Sequence, residues 1–396
     1  MSISARHDPH TARLQQHIRA GAFGKAGGLA LAGAIALAGC VTADRPAGPP
    51  APSPAESHAL IHRLLPPKTP DRIGWATDIY AAFAALDLAP TADNICAVVA
   101  VTEQESTFRT SPTVPGLAKI AWKEIDERAQ RLGIPALVVR TALRISSPNG
   151  KSYSERIDAA TTEQDLSEIF DDLIGLVPLG KTLFGSWNPV RTGGPMQVSI
   201  AFAQEHADER PYPYPISQDI RREVLTRHGG MYFGIAHLLD YPASYDKQLY
   251  RFADFNAGHY ASRNAAFQNA VSLASGRPLV PDGDLVSYAG ESTKTPGSTE
   301  SATRLLAPRL KMNDAEIRRA LEQGRTAQFD RTPLYQRVFS LAEEQRGRPL
   351  PRALVPRIQL KSPKITRKLT TAWFAERVEG RYKRCLARVE KQASGA

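Results

Sequence analysis

The sequence predicts a mainly α-helical protein. In most segments apolar residues recur at steps of three and four positions, as they do from Ile73 to Leu86, and this spacing is typical of an amphipathic helix. Strict alternation of apolar and polar residues, which would indicate strands, is rare, and we find no internal repeat. In chain order we predict helices at residues 73–86, 91–108, 117–132, 136–143, 163–174, 217–240, 246–274, 313–324, 333–345 and 364–391.

The composition is that of a globular protein with a basic end. Of 396 residues, 42% are hydrophobic and 23% are charged, which is ordinary for a folded domain. The net charge of +10 is concentrated, because residues 346–391 hold 14 Lys or Arg against three acids. Such a tail can contact anionic wall polymers, lipid headgroups or nucleic acid, or can form no more than a solvated face. The tail by itself leaves these readings open.

The N-terminus predicts export. Arg13, Arg19 and Lys25 precede an apolar run at residues 27–39, which is too short to span a bilayer and is typical of a signal peptide. The run ends in Leu-Ala-Gly-Cys, which resembles a bacterial lipobox with Cys40 as the acylated residue. The alternative is a chance cysteine after a simple signal peptide. An Asp after the acylated Cys commonly retains such lipoproteins in the inner membrane. No Asp follows Cys40, so we expect the lipid to anchor the protein to the outer membrane. Because such a protein lies in the periplasm, we expect no nucleic-acid partner.

A tether should follow the anchor. Eight prolines between residues 41 and 70, with Ala and Ser around them, predict an extended linker over residues 40–71 with one helical turn near 59–65. If Cys40 is acylated, Cys96 and Cys385 remain in an oxidising compartment. They either form a disulfide, which would pin the basic tail to the core, or remain a buried and a surface thiol.

The residues that suggest chemistry end the most apolar helix. That helix is apolar on nearly every side, which predicts a central, buried position, and it ends in the polar cluster 103–108. A carboxyl partly removed from water has a raised pKa, as a general acid near neutral pH requires. Glu103 and Glu105 lie about 200° apart on a helix, so one of them at most faces a given cleft. Glu105 shares a face with Val98 and Val101. Periodicity does not choose between the two acids, and a solvated helix end remains an alternative.

Three short motifs resemble the soluble lytic transglycosylases of the lysozyme-like superfamily. Residues 105–108 (Glu-Ser-Thr-Phe) match the family's Glu-Ser-x-Phe, and residues 194–197 (Gly-Pro-Met-Gln) match Gly-Leu-Met-Gln with one change. Residues 254–258 (Asp-Phe-Asn-Ala-Gly) match Ala-Tyr-Asn-Ala-Gly with two changes, and residues 232–239 resemble the helix between them. The resemblance covers residues 72–275. The whole chain also resembles an uncharacterised proteobacterial lipoprotein family.

The resemblance implies a lysozyme-like fold of the goose-type or soluble-transglycosylase kind and a peptidoglycan substrate. Glu105 would be the single acid/base that cuts the bond between N-acetylmuramic acid and N-acetylglucosamine and leaves a 1,6-anhydro end, without a second carboxylate or a cofactor. Ser106 would support the Glu105 carboxyl, and the other implied substrate-binding residues are Met196, Gln197, Tyr232, Phe255 and Asn256. Trp187 and Tyr260 are, with Tyr232, candidates for stacking on sugar rings, but core packing is the favoured role for at least two of these three.

The main departure from the family is an insertion. Glu105 and Gln197 are 92 residues apart, so helices at about 110–190 must form an added lobe, which either shapes substrate choice or covers the site. Asp254 would serve as a second carboxylate or point outward. The predicted organisation is a signal peptide at 1–39, the tether at 40–71, a lysozyme-like domain at 72–275, a linker at 276–300 and a basic helical C-terminal extension at 301–396.

Other functional classes are disfavoured. Residues 175–182 have the spacing of a phosphate-binding P-loop, but a helix precedes them instead of a strand and the loop holds bulky apolar residues, so we predict no nucleotide site. The nine histidines show no paired ligand spacing on a helix face, so we predict no metal site. A non-catalytic peptidoglycan-binding or scaffolding lipoprotein, or a hydrolytic muramidase on the same fold, remains an alternative to the transglycosylase.

Overall fold

A computed structural model describes residues 52–176, 178, 188–216, 218–286, 295–360 and 368–393. The predicted signal peptide, Cys40, Trp187 and most of the segment with P-loop spacing lie outside the described residues. The prediction of a mainly helical protein is confirmed, since the only strands among the described residues form two short antiparallel pairs.

The described elements follow in chain order. The first seven helices are α1 Pro54–Leu64, α2 Arg72–Ala85, α3 Ala92–Glu105, α4 Leu117–Arg131, α5 Ala136–Ala142, α6 Tyr153–Ala159 and α7 Glu163–Gly175. The central elements are β1 Thr192–Gly193, β2 Val198–Ser199, α8 Ile200–Glu209, α9 Ile220–Leu225, α10 Arg227–Leu239, α11 Gln248–Ala257 and α12 Ala261–Ser275. The last are α13 Ser298–Arg304, α14 Ala307–Leu310, α15 Asp314–Glu322, α16 Pro333–Arg346, β3 Gln359–Leu360, β4 Leu369–Thr370 and α17 Thr371–Ala393.

Helix α3 lies at the centre of the first and largest core. Thr91 caps it by accepting a hydrogen bond from the Asn94 N–H, and residues 95–101 are almost completely buried. Around α3 pack α1, α2, α10, α11 and the C-terminal helix α17. A helix that is apolar on every side needs partners on every side, and these five helices meet that need.

A second core forms from the following third of the chain. Its centre is a ring cluster in which Phe267 of α12 contacts Phe329 and Tyr335, with ring centroids 5.0 Å and 5.8 Å apart. Helix α12 therefore belongs to this core, whereas α17 joins the first core. The sequence analysis had placed α12 in the central domain and α17 in an extension.

The insertion forms a lobe with its own small core. Helices α4 to α7 enclose Leu143, Tyr153, Ile157 and Ile169. An antiparallel bridge between Thr113 and Thr162 closes the lobe at its base. We refer to residues 113–176 as the inserted lobe.

Several predicted boundaries are wrong for local reasons. The expected tether contains an 11-residue helix, α1, because Ser53 and Glu56 form a capping box and Pro54 is tolerated in the first turn of a helix. The predicted helix at 217–240 is two helices that meet at the N-cap residue Thr226. The one at 246–274 is also two, separated by Gly258, whose φ is +103°.

A disulfide joins the two ends of the first core. Cys96 of α3 and Cys385 of α17 are bonded, with their Cα atoms 5.4 Å apart, and both are buried. This is the pairing that the sequence allowed. The bond links residues 289 positions apart, so it holds the basic helix against the central one.

None of the helices in the described ranges is both long enough and apolar enough to cross a membrane.

We expect the disulfide to contribute strongly to stability. Replacing both Cys96 and Cys385 by Ala removes the cross-link between α3 and α17 and should lower the free energy of unfolding by about 3 kcal/mol. Denaturant titrations of the oxidised wild type and the double variant measure this difference. Reductant added to the unfolded wild type should lower its refolded stability to the level of the double variant, and equal stabilities of the oxidised wild type and the variant would contradict the expectation.

Candidate functional site

The end of α3 reaches α10 through Thr102. The Thr102 hydroxyl lies 3.9 Å from the Met231 sulfur of α10. Glu105 follows three residues later and is half-buried. Just beyond it Phe108 packs edge-on against Trp75, with ring centroids 5.3 Å apart. The first motif is therefore fixed against α2, and the helix that precedes it contacts α10.

The second motif is a tight turn seated on glycines of α10. Residues 194–197 connect β1 to β2, and the Gln197 N–H donates to the carbonyl of the first turn residue at 3.1 Å. A Cβ on Gly234 would lie 2.5 Å from the Met196 sulfur, and one on Gly230 would overlap the proline ring of the turn. Only glycines at these two positions allow the turn to approach so closely.

These two contacts lie close together on α10. Met231 and Gly234 are three residues apart, so they differ by about 60° around the helix axis and about 4.5 Å along it. The end of α3 and the turn at 194–197 therefore contact neighbouring faces of α10 within one helical turn.

The two acids at the end of α3 have different surroundings. Glu103 lies on the face of α3 that carries Cys96 and its disulfide, and its Oε1 is 3.9 Å from Arg381 Nε of α17. Glu105 also feels the charge of Arg381, but it lies on the side of α3 that carries Thr102. Glu103 is thus paired with the C-terminal helix, whereas Glu105 lies about 60° around α3 from Thr102, the residue that contacts α10.

The inserted lobe supplies an acid that the sequence analysis did not single out. The Gln197 side-chain amide donates to Glu163 Oε2 at 2.9 Å and to the Gly194 carbonyl at 3.2 Å. Glu163 is the first residue of α7, and only 7% of it is exposed. An acid in the first turn of a helix is ordinary in sequence, so only the fold reveals that this one meets Gln197.

The third motif reaches α10 further along. Asn256, near the end of α11, is exposed and accepts a hydrogen bond from the Thr371 hydroxyl at 2.9 Å, where α17 begins. The adjacent Phe255 is half-buried, and its carbonyl lies 3.3 Å from His237 Nε2 of α10. Asn256 therefore lies beside the start of α17, and its backbone neighbour contacts α10 one turn beyond Gly234.

Four residues expected to contact substrate are too buried to do so. Met196 is fully buried, Tyr232 is 1% exposed, and Tyr260 and Ser106 are 6% and 5% exposed. We expected the Ser106 hydroxyl to donate a hydrogen bond to the Glu105 carboxyl. It donates instead to the Thr102 carbonyl. Burial leaves a polysaccharide no access to Met196 or Ser106, so the predicted substrate contact by these two residues is wrong, whereas the burial of Tyr232 and Tyr260 agrees with the packing role that the sequence also allowed for them.

Asp254 is neither a second carboxylate at the cleft nor an outward charge. It is fully buried and accepts hydrogen bonds from the Tyr241 and Tyr245 hydroxyls, at 3.1 Å and 2.6 Å, and from the N–H groups of Tyr260 and Ser262. Burial raises the pKa of the Asp254 carboxyl, while these hydrogen bonds oppose the shift. Asp254 thus fixes the connection between α11 and α12, at a position where the related motif has Ala.

Non-glycine residues with left-handed backbone cluster at the motifs. Of the seven among the described residues, Thr107 and Phe108 follow Glu105, Gln197 closes the turn, and Tyr260 follows the third motif. Strained backbone of this kind costs free energy and concentrates at functional sites in proteins.

A buried histidine cluster lies at the far end of α10. The His237 and His259 rings stack with centroids 4.6 Å apart, and His259 Nε2 lies 2.7 Å from the His237 carbonyl. Burial lowers the pKa of His237 to about 3 and also lowers the pKa values of His206 and His259. In the part of the chain that the structure describes, no group of three or more His, Cys, Asp or Glu side chains is placed to hold a metal ion.

The buried His237 predicts loss of stability in mild acid. The unfolded chain takes up a proton near pH 6.5, whereas the folded protein resists it down to about pH 3, so stability is full above pH 6.5 and falls as the pH drops below it. From pH 6.5 to pH 5 this one group should cost about 1.5 kcal/mol. Denaturant unfolding of the wild type and of His237→Gln at several pH values measures the effect. Parallel pH profiles for the two proteins would refute it.

Comparison with known proteins gives a family without an established function. Residues 68–388 match the family described as "Protein of unknown function (DUF1615)". The chain is similar to "Uncharacterized protein YaiW" of Escherichia coli (strain K12), with 58% identity over 328 residues, which cover 83% of this chain and 89% of that protein. No solved structure matches the chain. On the extent of both matches, the chain belongs to the DUF1615 family.

Proposed function

We propose that the protein is a lytic transglycosylase that cleaves peptidoglycan with Glu105 as its acid/base. The observation that carries the proposal is that the end of α3 and the turn at residues 194–197 both contact α10. Thr102, one turn before Glu105, contacts Met231, while the turn that ends in Gln197 packs on Gly230 and Gly234. The third motif contacts the same helix through the Phe255 carbonyl and His237, so segments at or beside all three motifs contact one 13-residue helix.

In the proposed reaction a single carboxyl moves one proton in each direction. Glu105 gives its proton to the glycosidic oxygen as the bond to C1 of N-acetylmuramic acid breaks, and the N-acetyl group of the substrate assists. The Glu105 carboxylate then takes the proton of the C6 hydroxyl as that oxygen bonds to C1, which leaves a 1,6-anhydro end and the original protonated acid. One acid is therefore sufficient, unlike the pair used by most glycosidases.

The residues around Glu105 would hold the glycan. Asn256 is exposed and presents an amide beside the start of α17, which suits a hydrogen bond to a sugar substituent. Gln197 is half-buried, and its amide nitrogen donates to Glu163, which fixes the orientation of the amide. With its nitrogen held by Glu163, the Gln197 amide is oriented before substrate arrives, and such preorganisation favours binding of the reacting sugar.

A non-catalytic wall-binding lipoprotein is the second candidate. It is favoured by the bonds that the site residues already make within the chain, Gln197 with Glu163 and Asn256 with Thr371. In a wall-binding protein these two amides would exchange their hydrogen bonds within the chain for hydrogen bonds to the glycan. Such binding needs no proton donor. In either case we propose a periplasmic protein held at the outer membrane by a lipid on Cys40.

Substitution of the proposed acid tests the enzyme directly. Glu105→Gln keeps the size of the side chain but removes the transferable proton, so release of anhydro-muropeptides from sacculi should fall by at least about 1000-fold while binding to sacculi persists. Glu103→Gln is the matched control, because Glu103 is held by Arg381, and it should keep most of the activity. Mass spectrometry of the digests and pull-down with sacculi give the two readings.

The digests also separate the alternatives. Anhydro ends support the transglycosylase, and reducing ends would replace it with a hydrolase on the same fold. Intact sacculi that retain the wild-type protein would leave the wall-binding lipoprotein. Full activity in Glu105→Gln would move the acid to another residue.

The Glu163–Gln197 pair predicts that the lobe contributes to catalysis. Glu163→Gln removes the charged acceptor for the Gln197 amide, so kcat should fall by about tenfold with a smaller change in KM, in keeping with the loss of one charge-assisted hydrogen bond. Glu155→Gln, at a capping box of the same lobe, is the control and should leave turnover unchanged. If kcat of Glu163→Gln falls only to the extent that the variant is unfolded, as judged by its thermal stability, the positioning role is contradicted.

A further inference from the structure

The inserted lobe carries an apolar surface at the junction of α4 and α5. Of the ten large apolar residues that are exposed within the described ranges, five fall between positions 132 and 145. They are Leu132, Ile134, Leu137, Val138 and Ile145, with exposed fractions of 60%, 40%, 75%, 56% and 49%. Helix α5 has no buried residue. We call these five residues the apolar corner. Single exposed apolar residues are ordinary, but five within 14 consecutive positions concentrate apolar surface on one short segment, as a binding surface does.

Basic residues surround the apolar corner. Between positions 117 and 151 the chain has seven Lys or Arg and three acids. Each of the three acids forms an ion pair with a basic residue of the same segment, in the pairs Lys123–Glu127, Arg128–Glu124 and Arg140–Asp126. The surplus is positive within this stretch, although Asp158 of α6 also lines the adjoining cavity. Two basic residues that take part in none of these ion pairs, Arg131 and Arg144, adjoin Leu132 and Ile145 in sequence and are exposed.

A tryptophan completes the surface. A cavity of about 1070 Å³ beside the corner is lined by Trp122, Ile134 and Pro135 among other residues. The Trp122 indole N–H donates to Asp158 at 2.7 Å, and the Arg140 guanidinium lies 4.7 Å from the centre of the ring. Surfaces that bind at the boundary between lipid headgroups and acyl chains combine exposed aliphatic side chains, tryptophan and a surplus of Lys and Arg. The apolar corner and its surroundings have this combination.

We propose that the apolar corner docks on the surface of an anionic lipid bilayer. The aliphatic side chains would enter the acyl boundary, while Arg131, Arg144 and the neighbouring lysines contact the phosphates of the headgroups. The charge favours a bilayer over a second copy of this chain, since two copies would bring the same positive surplus face to face. Docking on the lobe is independent of the proposed glycosidase activity.

The proposed anchor is compatible with this orientation. From Cys40 to Pro52, where the described structure begins, 12 residues span at most about 43 Å when fully extended. A lipid on Cys40 would therefore keep the folded protein within a tether's length of the bilayer, and the corner would convert a loose attachment into a defined orientation. The corner alone should still give measurable binding, so the test does not need the lipid.

Vesicle binding by the chain from Val41 onward, which retains every described residue, tests the proposal. Partitioning to vesicles of phosphatidylethanolamine and phosphatidylglycerol is measured by flotation, with phosphatidylcholine vesicles as the neutral comparison. We expect binding to the anionic vesicles that weakens with added salt. The double variant Leu137→Glu/Val138→Glu should reduce it by at least about tenfold. Val280→Glu/Leu305→Glu, which adds the same two charges at apolar residues that are 63% and 56% exposed outside the lobe, should bind as the wild type does.

Three outcomes would overturn the proposal. They are absence of wild-type binding to anionic vesicles, equal binding by the double variant, and concentration-dependent dimers of the wild type that the double variant abolishes. The dimers would make a second copy the occupant of the corner. Circular dichroism and thermal melting of each variant verify that it is folded, and Arg131→Glu/Arg144→Glu, which leaves the apolar residues intact, should lose only the preference for anionic vesicles.

Discussion

The close approach between α10 and the turn at residues 194–197 is the constraint on which the arrangement of the site depends. It exists because Gly230 and Gly234 have no side chain on the face where the turn packs. The next face of the same helix receives the end of α3 through Met231. Any side chain on either glycine would push the turn outward and separate it from α3. The absence of side chains at Gly230 and Gly234 thus determines whether the turn at residues 194–197 can pack close to the end of α3.

The sequence was sufficient to predict elements whose signal is local. The position of α3 followed from its uniform apolarity, and its end at the polar cluster followed from the change to charged residues. The turn at residues 194–197 was predicted as a motif and is a turn. Side-chain burial was not predictable in the same way. Whether Met196 and Tyr232 face a cleft or a core depends on what packs against them, and in both cases α10 or its neighbours cover them. Resemblance located the motifs but did not decide which of their atoms are accessible.

Long-range pairings account for the remaining differences. Helix α12 continues directly from α11, so the sequence suggested one domain, but its rings meet Phe329 and Tyr335 from later in the chain. The basic surplus of α17 suggested a solvated extension, but one face of that helix is apolar and is bonded to α3 through Cys385. Charge averaged over a helix hides an apolar face of this kind, because long Lys and Arg side chains keep their charges in water while the helix packs.

The inserted lobe has two faces of opposite character, and this argues against a purely passive insertion. At its base, Glu163 is buried and bonded to Gln197, a polar contact that must be satisfied because an unpaired buried carboxylate is costly. At its far corner, Leu137 and Val138 remain in water although the lobe has a small core of its own that would be enlarged by burying them. A lobe that only filled space would be expected to bury its apolar residues and expose its acids. One buried acid bonded to the turn at residues 194–197, together with five exposed apolar residues, is instead typical of an element that is fixed to the site and also contacts another surface.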